Sequence, residues 1–293
     1  MTHVEDELSS QPECWTRAAA EATGLGGVLP APGERVAIVG CGTSYFMGQA
    51  FAALREGSGQ GETDAFAASE FPQGRAYDRV LALSRSGTTT EVLDLLDRLK
   101  GRTRTTAVTA DPDTPVMASA DEVVVLDYAD ERSVVQTRFA TTALTLLRAH
   151  LGLHTDAAVA DARTALATDL PEGLAQCTQF TFLGRGWTVG LANEAGLKMR
   201  EASLSWTEAY PAMEYRHGPI SITTDSTATW MFGEAPEGLA DQVRATGGWW
   251  IEGRLDPLAE LVRAQRLAVA VAALRGLDPD RPRHLTRSVI LAP

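Results

Sequence analysis

The sequence has almost no lysine: only Lys100 and Lys198 occur among its 293 residues. Acidic residues outnumber basic ones, 38 to 26, and the formal net charge is −12. Nucleic acids and anionic membranes bind proteins through basic surfaces, so this balance argues against both as partners. An anionic ligand would need a local positive site within an acidic protein.

Cysteine is also scarce, and long apolar runs are missing. Cys14, Cys41 and Cys177 are widely spaced without a CxxC pair, so we expect a reduced, cytoplasmic protein rather than a disulfide framework. Residues 1–10 are polar, unlike a signal peptide, and no stretch approaches the ~18 consecutive apolar residues of a membrane span.

Metal and cofactor signatures are missing as well. The five histidines do not fall in ligand spacing with cysteines or carboxylates, so no metal is expected. Gly40-Cys41-Gly42 lacks the third glycine of a dinucleotide fingerprint, and there is no Gly-x4-Gly-Lys-Ser/Thr loop. We therefore expect no cofactor.

Short β-prone runs alternate with helical patterns, which is typical of doubly wound parallel sheets in an α/β protein. The predicted strands are 36–39, 80–83, 105–109, 123–126, 180–183, 227–232 and 249–252, and the tail from Asp278 is Arg/Pro-rich and then β-prone. Residues 180–183 run into Gly184-Arg185-Gly186 much as 36–39 run into Gly40-Cys41-Gly42, which indicates an internal duplication. We expect a helical arm over residues 1–24 and two tandem flavodoxin-like domains over 25–155 and 156–293.

The run Ser84-Arg85-Ser86-Gly87-Thr88-Thr89-Thr90 lies between a predicted strand and a helical pattern at 91–99. A strand-to-helix turn exposes backbone N–H groups at the positive end of the helix dipole, and hydroxyls add donors there. The run therefore suits a phosphate, although a Ser/Thr-rich turn with an N-cap remains an alternative. The corresponding run of the second half, Gly233-Glu234-Ala235-Pro236-Glu237, would repel a phosphate, so we expect one such site.

The helical pattern after Gly186 carries Glu194, Lys198 and Glu201 at positions i, i+4 and i+7, which share one face. A solvated salt-bridge stripe is the ordinary alternative. Farther on, Gly218-Pro219 stops any helix and holds His217 at the end of an element, where active-site groups often lie.

These segments together resemble the double-SIS (sugar isomerase) family, which includes the isomerase half of glucosamine-6-phosphate synthase and amino-sugar-phosphate isomerases and deaminases. The resemblance extends over nearly the whole chain. Its segments are Gly42-Thr43-Ser44, residues 84–89, 133–138, 183–186, 194–201, 208–210, 217–219 and 282–289.

The resemblance implies a phosphosugar enzyme with a site near a homodimer interface. It implies that Gly42, Thr43, Ser44, Ser84, Ser86 and Thr89 hold the phosphate and that Gln136 lines the sugar. Glu201 would move a proton between C1 and C2, and His217, from a neighbouring subunit in some relatives, would open the ring. Glu194 and Lys198 would lie beside the open-chain sugar.

Two positions depart from the synthase. Arg287 replaces the tail lysine that forms a Schiff base there, and a guanidinium, always protonated, cannot form that imine. Arg85 replaces a neutral amide and is expected to tighten phosphate binding through a charge-assisted pair.

Because an amino sugar brings its own amine, we expect conversion of a hexosamine 6-phosphate to a ketose 6-phosphate and ammonia. The region before Gly40 is too short for a glutaminase domain, and no N-terminal cysteine nucleophile is available, so glutamine-dependent synthesis is not expected for this chain alone. Plain aldose-ketose isomerisation, a fructosamine-6-phosphate deglycase and a non-catalytic phosphosugar sensor remain alternatives, whereas no helix-turn-helix supports a repressor.

Overall fold

The computed structural model describes residues 2–291, which form two separate parallel sheets. The first contains β1 (Val36–Gly40), β2 (Thr63–Ala67), β3 (Arg79–Leu83), β4 (Arg104–Thr109) and β5 (Glu122–Val125), in the order β2-β1-β3-β4-β5. The second contains β6 (Gln179–Gly184), β7 (Trp206–Pro211), β8 (Thr227–Met231) and β9 (Trp249–Glu252), in the order β7-β6-β8-β9. The second sheet therefore repeats the order of the first four strands of the first sheet.

Helices cover both sheets. They are α1 (His3–Ser9), α2 (Gln11–Glu21), α3 (Thr43–Gly57), α4 (Thr90–Leu99), α5 (Val116–Ser119), α6 (Arg138–His150), α7 (Asp156–Ala167), α8 (Thr188–Ser203), α9 (Leu239–Ala245) and α10 (Pro257–Leu274). No helix within residues 2–291 combines the length and the apolar character needed to cross a membrane.

Strands β1 and β3 are buried along their whole length, because helices cover both faces of a parallel sheet. One hydrophobic core continues from the first half into the second and includes Phe51 of α3, Leu144 of α6, Leu191 of α8 and Leu261 of α10. The two sheets are thus joined through helices rather than by strand pairing. The proposed domain boundaries at residues 24/25 and 155/156 stay a prediction, and their outer ends, Met1 and Pro293, lie outside the described residues.

All seven predicted strands form, within one residue of their predicted ends. The sequence patterns missed β2 and β7, which occupy corresponding edges of the two sheets. Both are only partly buried and contain polar residues, so they lack the apolar run of a central strand. The β-prone tail was predicted wrongly: residues 278–291 form turns and no strand.

Gly190 is where α8 crosses α3 and the two halves meet. A Cβ at Gly190 would lie 2.5 Å from the carbonyl oxygen of Phe46 and 2.7 Å from the amide nitrogen of Ala50. Because both atoms belong to the α3 backbone, they cannot move away independently of the helix.

We predict that Gly190→Ala lowers the free energy of unfolding by about 1–3 kcal/mol through overpacking. This holds although alanine favours a helix over glycine by about 1 kcal/mol. Urea denaturation measures the change. Gly196→Ala in the same helix is the matched control. Its Cβ would lie 3.3 Å from the flexible end of Arg200 and in ordinary contact, at 3.5 and 3.8 Å, with the side chains of Thr207 and Phe182. Equal losses in both variants would contradict the close crossing.

Candidate functional site

The serine- and threonine-rich run forms the expected turn between β3 and α4. Gly87 adopts a φ of 61°, and a Cβ there would lie 2.1 Å from the Thr114 hydroxyl, so glycine is required. The Thr88 amide donates to Ser86 Oγ at 3.3 Å. We call residues 84–90 the cradle.

Ser84 is the feature of the cradle that points most directly to a ligand. Its hydroxyl oxygen is buried and has no hydrogen-bond partner within residues 2–291. A buried hydroxyl without a partner costs free energy, about 1–3 kcal/mol by mutational data. The cradle therefore contains a polar group that a bound anion would satisfy.

The Arg85 guanidinium is bound by other groups of the protein and is not free for a phosphate, contrary to the expectation from the sequence. It is 2% exposed, and its guanidinium donates to the carbonyl oxygens of Ser133 at 3.0 Å and Arg287 at 3.0 Å. The Glu131 carboxylate lies 3.6 Å away and balances its charge. Only Nε has no partner within residues 2–291. The charge expected to bind a phosphate is thus already paired.

Helix α8 presents Glu194, Lys198 and Glu201 on one face, as their spacing predicts. The Lys198 ammonium donates to Glu201 and lies 3.5 Å from Glu194, which in turn accepts from the Thr43 hydroxyl at 3.3 Å. Lys198 and Glu194 are each 1% exposed. A solvated surface stripe is therefore wrong for this helix.

Burial sets the charges of this row. It raises the pKa of Glu194 to about 8, against the attraction of Lys198 and with the repulsion of Glu201. Burial acts to lower the pKa of Lys198, but the two carboxylates outweigh it, and the net shift is upward. Around neutral pH, Lys198 is therefore an ammonium group and Glu194 largely keeps its proton.

A cavity of about 240 Å³ lies between the turn before α3, the cradle, α8 and the C-terminal tail. Its lining contains seven of the predicted site residues: Gly42, Thr43, Arg85, Thr89, Gln136, Glu201 and Arg287. Lys198 and Glu194 lie outside the lining and connect Glu201 with Thr43 by the contacts above. The cradle and the candidate proton-transfer carboxylate thus border the same space.

Besides Lys198 and Glu194, four predicted residues lie outside this lining. Ser44, Ser84 and Ser86 are buried beside lining residues of the same two turns. His217 is exposed at the end of a 3-10 turn, and its imidazole makes no hydrogen bond to any residue between 2 and 291. The structure of one chain does not bring His217 to the cavity.

The sequence patterns did not indicate the polar groups that organise the cavity wall. The Glu131 carboxylate, which is buried, accepts from the amide groups of Thr137 at 2.6 Å and Arg138 at 2.7 Å, at the start of α6. Glu7 accepts from the amide of Ser133 at 3.1 Å. In a chain with 38 acidic residues, neither glutamate has a local signal that would distinguish it.

No group of three or more His, Cys, Asp or Glu side chains in the described part of the chain could hold a metal ion. The polar groups around the cavity are hydroxyls, one amide, two guanidinium groups and a carboxylate. This set of groups suits a polar organic anion that binds without a metal ion.

We predict that Glu194→Gln flattens the pH dependence of stability. Between pH 4.5 and about 8, the folded chain binds a proton at Glu194 that the unfolded chain has lost, so wild-type stability falls by roughly a few kcal/mol as pH rises through that window. Urea denaturation at pH 5 and pH 8 measures the slope. The exposed control Glu172→Gln should keep the wild-type slope, and an unchanged slope in Glu194→Gln would contradict the assignment.

Comparison with known proteins finds a family match in the first half of the chain. Residues 31–151 match the SIS domain, within the first predicted domain. Glutamine--fructose-6-phosphate aminotransferase [isomerizing] of Caulobacter vibrioides is 29% identical over 98% of this chain and 58% of its own length. The chain thus spans about half the length of the curated relatives that it matches.

Solved structures share the whole fold. Glucosamine-6-phosphate deaminase of Thermotoga maritima superposes with a TM-score of 0.84 at 26% identity, covering 99% of this chain and 100% of that one. The C-terminal domain of glucosamine-fructose-6-phosphate aminotransferase of Francisella tularensis has a TM-score of 0.79 at 22% identity, covering 96% and 98%. That the second half is a second SIS copy stays a prediction. Residues 31–151 are therefore similar to the SIS domain, and the solved structures share the fold of the whole chain.

Proposed function

We propose that this chain is a phosphosugar isomerase that converts a hexosamine 6-phosphate to a ketose 6-phosphate with release of ammonia. One observation carries the proposal: a single cavity is lined both by Thr89 of the anion cradle and by Glu201 of α8. A sugar phosphate needs this combination, an anion site at one end and a proton-transfer group at the other. The likeness to the deaminase of Thermotoga maritima supports the same reaction.

The phosphate would dock at the N-terminal end of α4. There the backbone N–H groups and the hydroxyls of Ser84, Ser86 and Thr89 offer donors without requiring a free cation. Thr43 and Ser44, at the start of α3, add two more hydroxyls from the second helix N-terminus beside the cavity. This arrangement explains how a protein with a net charge of −12 can bind a dianion.

Glu201 would do the central chemistry. In the open-chain sugar, the carboxylate takes the proton from C2, which carries the amine, and returns it to C1. The C2 imine that results adds water, the C–N bond breaks, and ammonia leaves with the ketose. Lys198, held against Glu201, would stabilise the carboxylate and the developing oxyanion.

Arg287 supports the deaminating direction. Its guanidinium is paired with Asp130 at 2.5 Å and cannot form an imine with a ketose. A reaction that builds an amino sugar through a protein Schiff base would lack its lysine here, whereas an amino sugar that supplies its own nitrogen needs none.

A ligand panel followed by a coupled assay tests the function. Thermal shift should identify a hexosamine 6-phosphate as stabilising, and the same compound should then yield ammonia and ketose 6-phosphate. Isomerisation without ammonia would indicate a plain aldose-ketose isomerase, and release of a free amino acid from a fructosamine 6-phosphate would indicate a deglycase. Binding without turnover of any of them would leave a phosphosugar sensor.

We predict that Glu201→Gln lowers turnover by at least about 100-fold, since it removes a general acid-base group. Phosphosugar binding should survive, because the cradle is untouched. Coupled ammonia release measures turnover, and calorimetric titration with the stabilising sugar phosphate measures affinity.

Ser86→Asp is the matched counterpart, because it places a negative charge in the cradle and leaves α8 intact. It should lose binding where Glu201→Gln retains it. Wild-type turnover in Glu201→Gln, or unchanged affinity in Ser86→Asp, would overturn the corresponding assignment.

We further propose that the enzyme is a homodimer in which His217 serves the partner's cavity. In support, His217 is exposed and does not belong to the lining of its own chain's cavity. Trp206, which is 76% exposed, and Met213, which is 46% exposed, lie on the same stretch of chain and offer apolar surface for such a contact.

We predict that two inactive variants restore activity when mixed. A heterodimer of Glu201→Gln and His217→Ala has one site with both groups intact, so random exchange should recover roughly a quarter of wild-type activity by symmetry. Assaying the mixture after subunit exchange measures this. Ser86→Asp mixed with Glu201→Gln is the control and should stay inactive, because both residues belong to the same chain's cavity. No recovery in the first mixture would contradict a shared His217.

A further inference from the structure

Residues 285–289 of the C-terminal tail form one wall of the candidate cavity, and we call this segment the strap. The strap contacts the cradle directly. The Thr88 hydroxyl donates to Ser288 Oγ at 2.9 Å, and the Thr90 amide donates to the carbonyl oxygen of Val289 at 3.2 Å. About 200 residues separate the partners along the chain, so these contacts close a very long loop.

An ion pair between Arg287 and Asp130 also holds the strap. The Arg287 guanidinium lies 2.5 Å from Asp130 and also donates to the carbonyl oxygen of Glu131. The side chains of Arg287 and Asp130 are 36% and 39% exposed. Such a half-exposed pair is worth little as a stability device, but it determines where a flexible tail lies.

Arg85 forms a second connection, between the cradle and the strap. Its side chain is 1% exposed, and its guanidinium reaches both the carbonyl oxygen of Arg287 in the strap and that of Ser133 in the loop before α6. Arg85 is flanked by Ser84 and Ser86 in the cradle. A shift of the cradle backbone on ligand binding would therefore move the donor on which the strap rests.

We propose that Arg85 and the Asp130–Arg287 pair are positioning groups that hold the strap over the cavity and that Arg85 couples its closure to occupancy of the cradle. Neither arginine then serves mainly as a phosphate ligand, in contrast to the expectation from the sequence. The coupling to a sugar phosphate rests on the function proposed above, whereas the two connections themselves do not.

Limited trypsin digestion tests the connections without any substrate. The bond between Arg283 and His284 lies directly before the strap. Both residues are exposed, but a protease needs several freed residues around the bond, so its cleavage rate should follow the fraction of open strap. Asp130→Asn removes the ion pair and leaves every arginine in place, so we expect cleavage of this bond to accelerate about fivefold, the upper range for a half-exposed pair. Mass spectrometry of the fragments identifies the bond that is cut.

Arg287→Ala should accelerate cleavage at least as much, because it also removes the donation to the carbonyl oxygen of Glu131. The double variant should be cut no faster than Arg287→Ala, because the ion pair is then already lost. Arg281→Ala is the matched control: it is an exposed tail arginine without a side-chain hydrogen bond to residues 2–291 and should be cut at the wild-type rate. Wild-type cleavage of Asp130→Asn, or additive effects in the double variant, would overturn the proposal.

A second arm tests the coupling with glucosamine 6-phosphate and with inorganic phosphate. Both should slow cleavage in wild type, and the protection should be largely lost in Arg85→Gln and kept in Arg85→Lys, which retains a donor. Circular dichroism establishes that each variant is folded. If Arg85→Gln does not fold, the cleavage rate of Asp130→Asn is the measurement that decides the proposal. Full protection of Arg85→Gln would overturn the coupling. If neither ligand protects any chain while Asp130→Asn is still cut faster, the proposed function fails and the connections stand.

Discussion

The buried row of Glu194, Lys198 and Glu201 constrains the rest of the site. The Lys198 ammonium, which is 1% exposed, is tolerable because the Glu201 carboxylate lies against it, with Glu194 at 3.5 Å. Glu194 of this row also accepts a hydrogen bond from the hydroxyl of Thr43 in α3. The face of α8 that carries this row is thus fixed against α3, the helix that begins beside the cavity in the first half.

The cradle solves a problem that the composition creates. A protein with a net charge of −12 and two lysines has few cations to spare for an anionic ligand. Lys198 is paired with glutamate side chains. The charge of Arg85 is balanced by Glu131, and its N–H groups donate to backbone carbonyl oxygens. The proposed anion binding would therefore rely on the helix N-terminus and on neutral hydroxyls, which bind anions without a net positive charge.

The features predicted from the sequence are those with local causes. The turn at 84–90 follows from a strand, a glycine and a helix in succession, and the row on α8 follows from helical spacing. The direction of the Arg85 side chain was not predictable, because it depends on Ser133 and Arg287, which are distant in sequence. The edge strands β2 and β7 were missed because half-exposed strands carry polar residues.

The fold also dictates when the site becomes complete. Its lining comes from residues 41–43, 85–89, 134–136, 201 and 285–289, so no continuous segment contains it. Parallel sheets assemble from contacts distant in sequence, and the strap joins last along the chain. An anion in the cradle stabilises an arrangement in which both halves and the tail are already docked. Ligand binding should therefore report on the packing of the whole chain, because every wall of the cavity belongs to a different part of it.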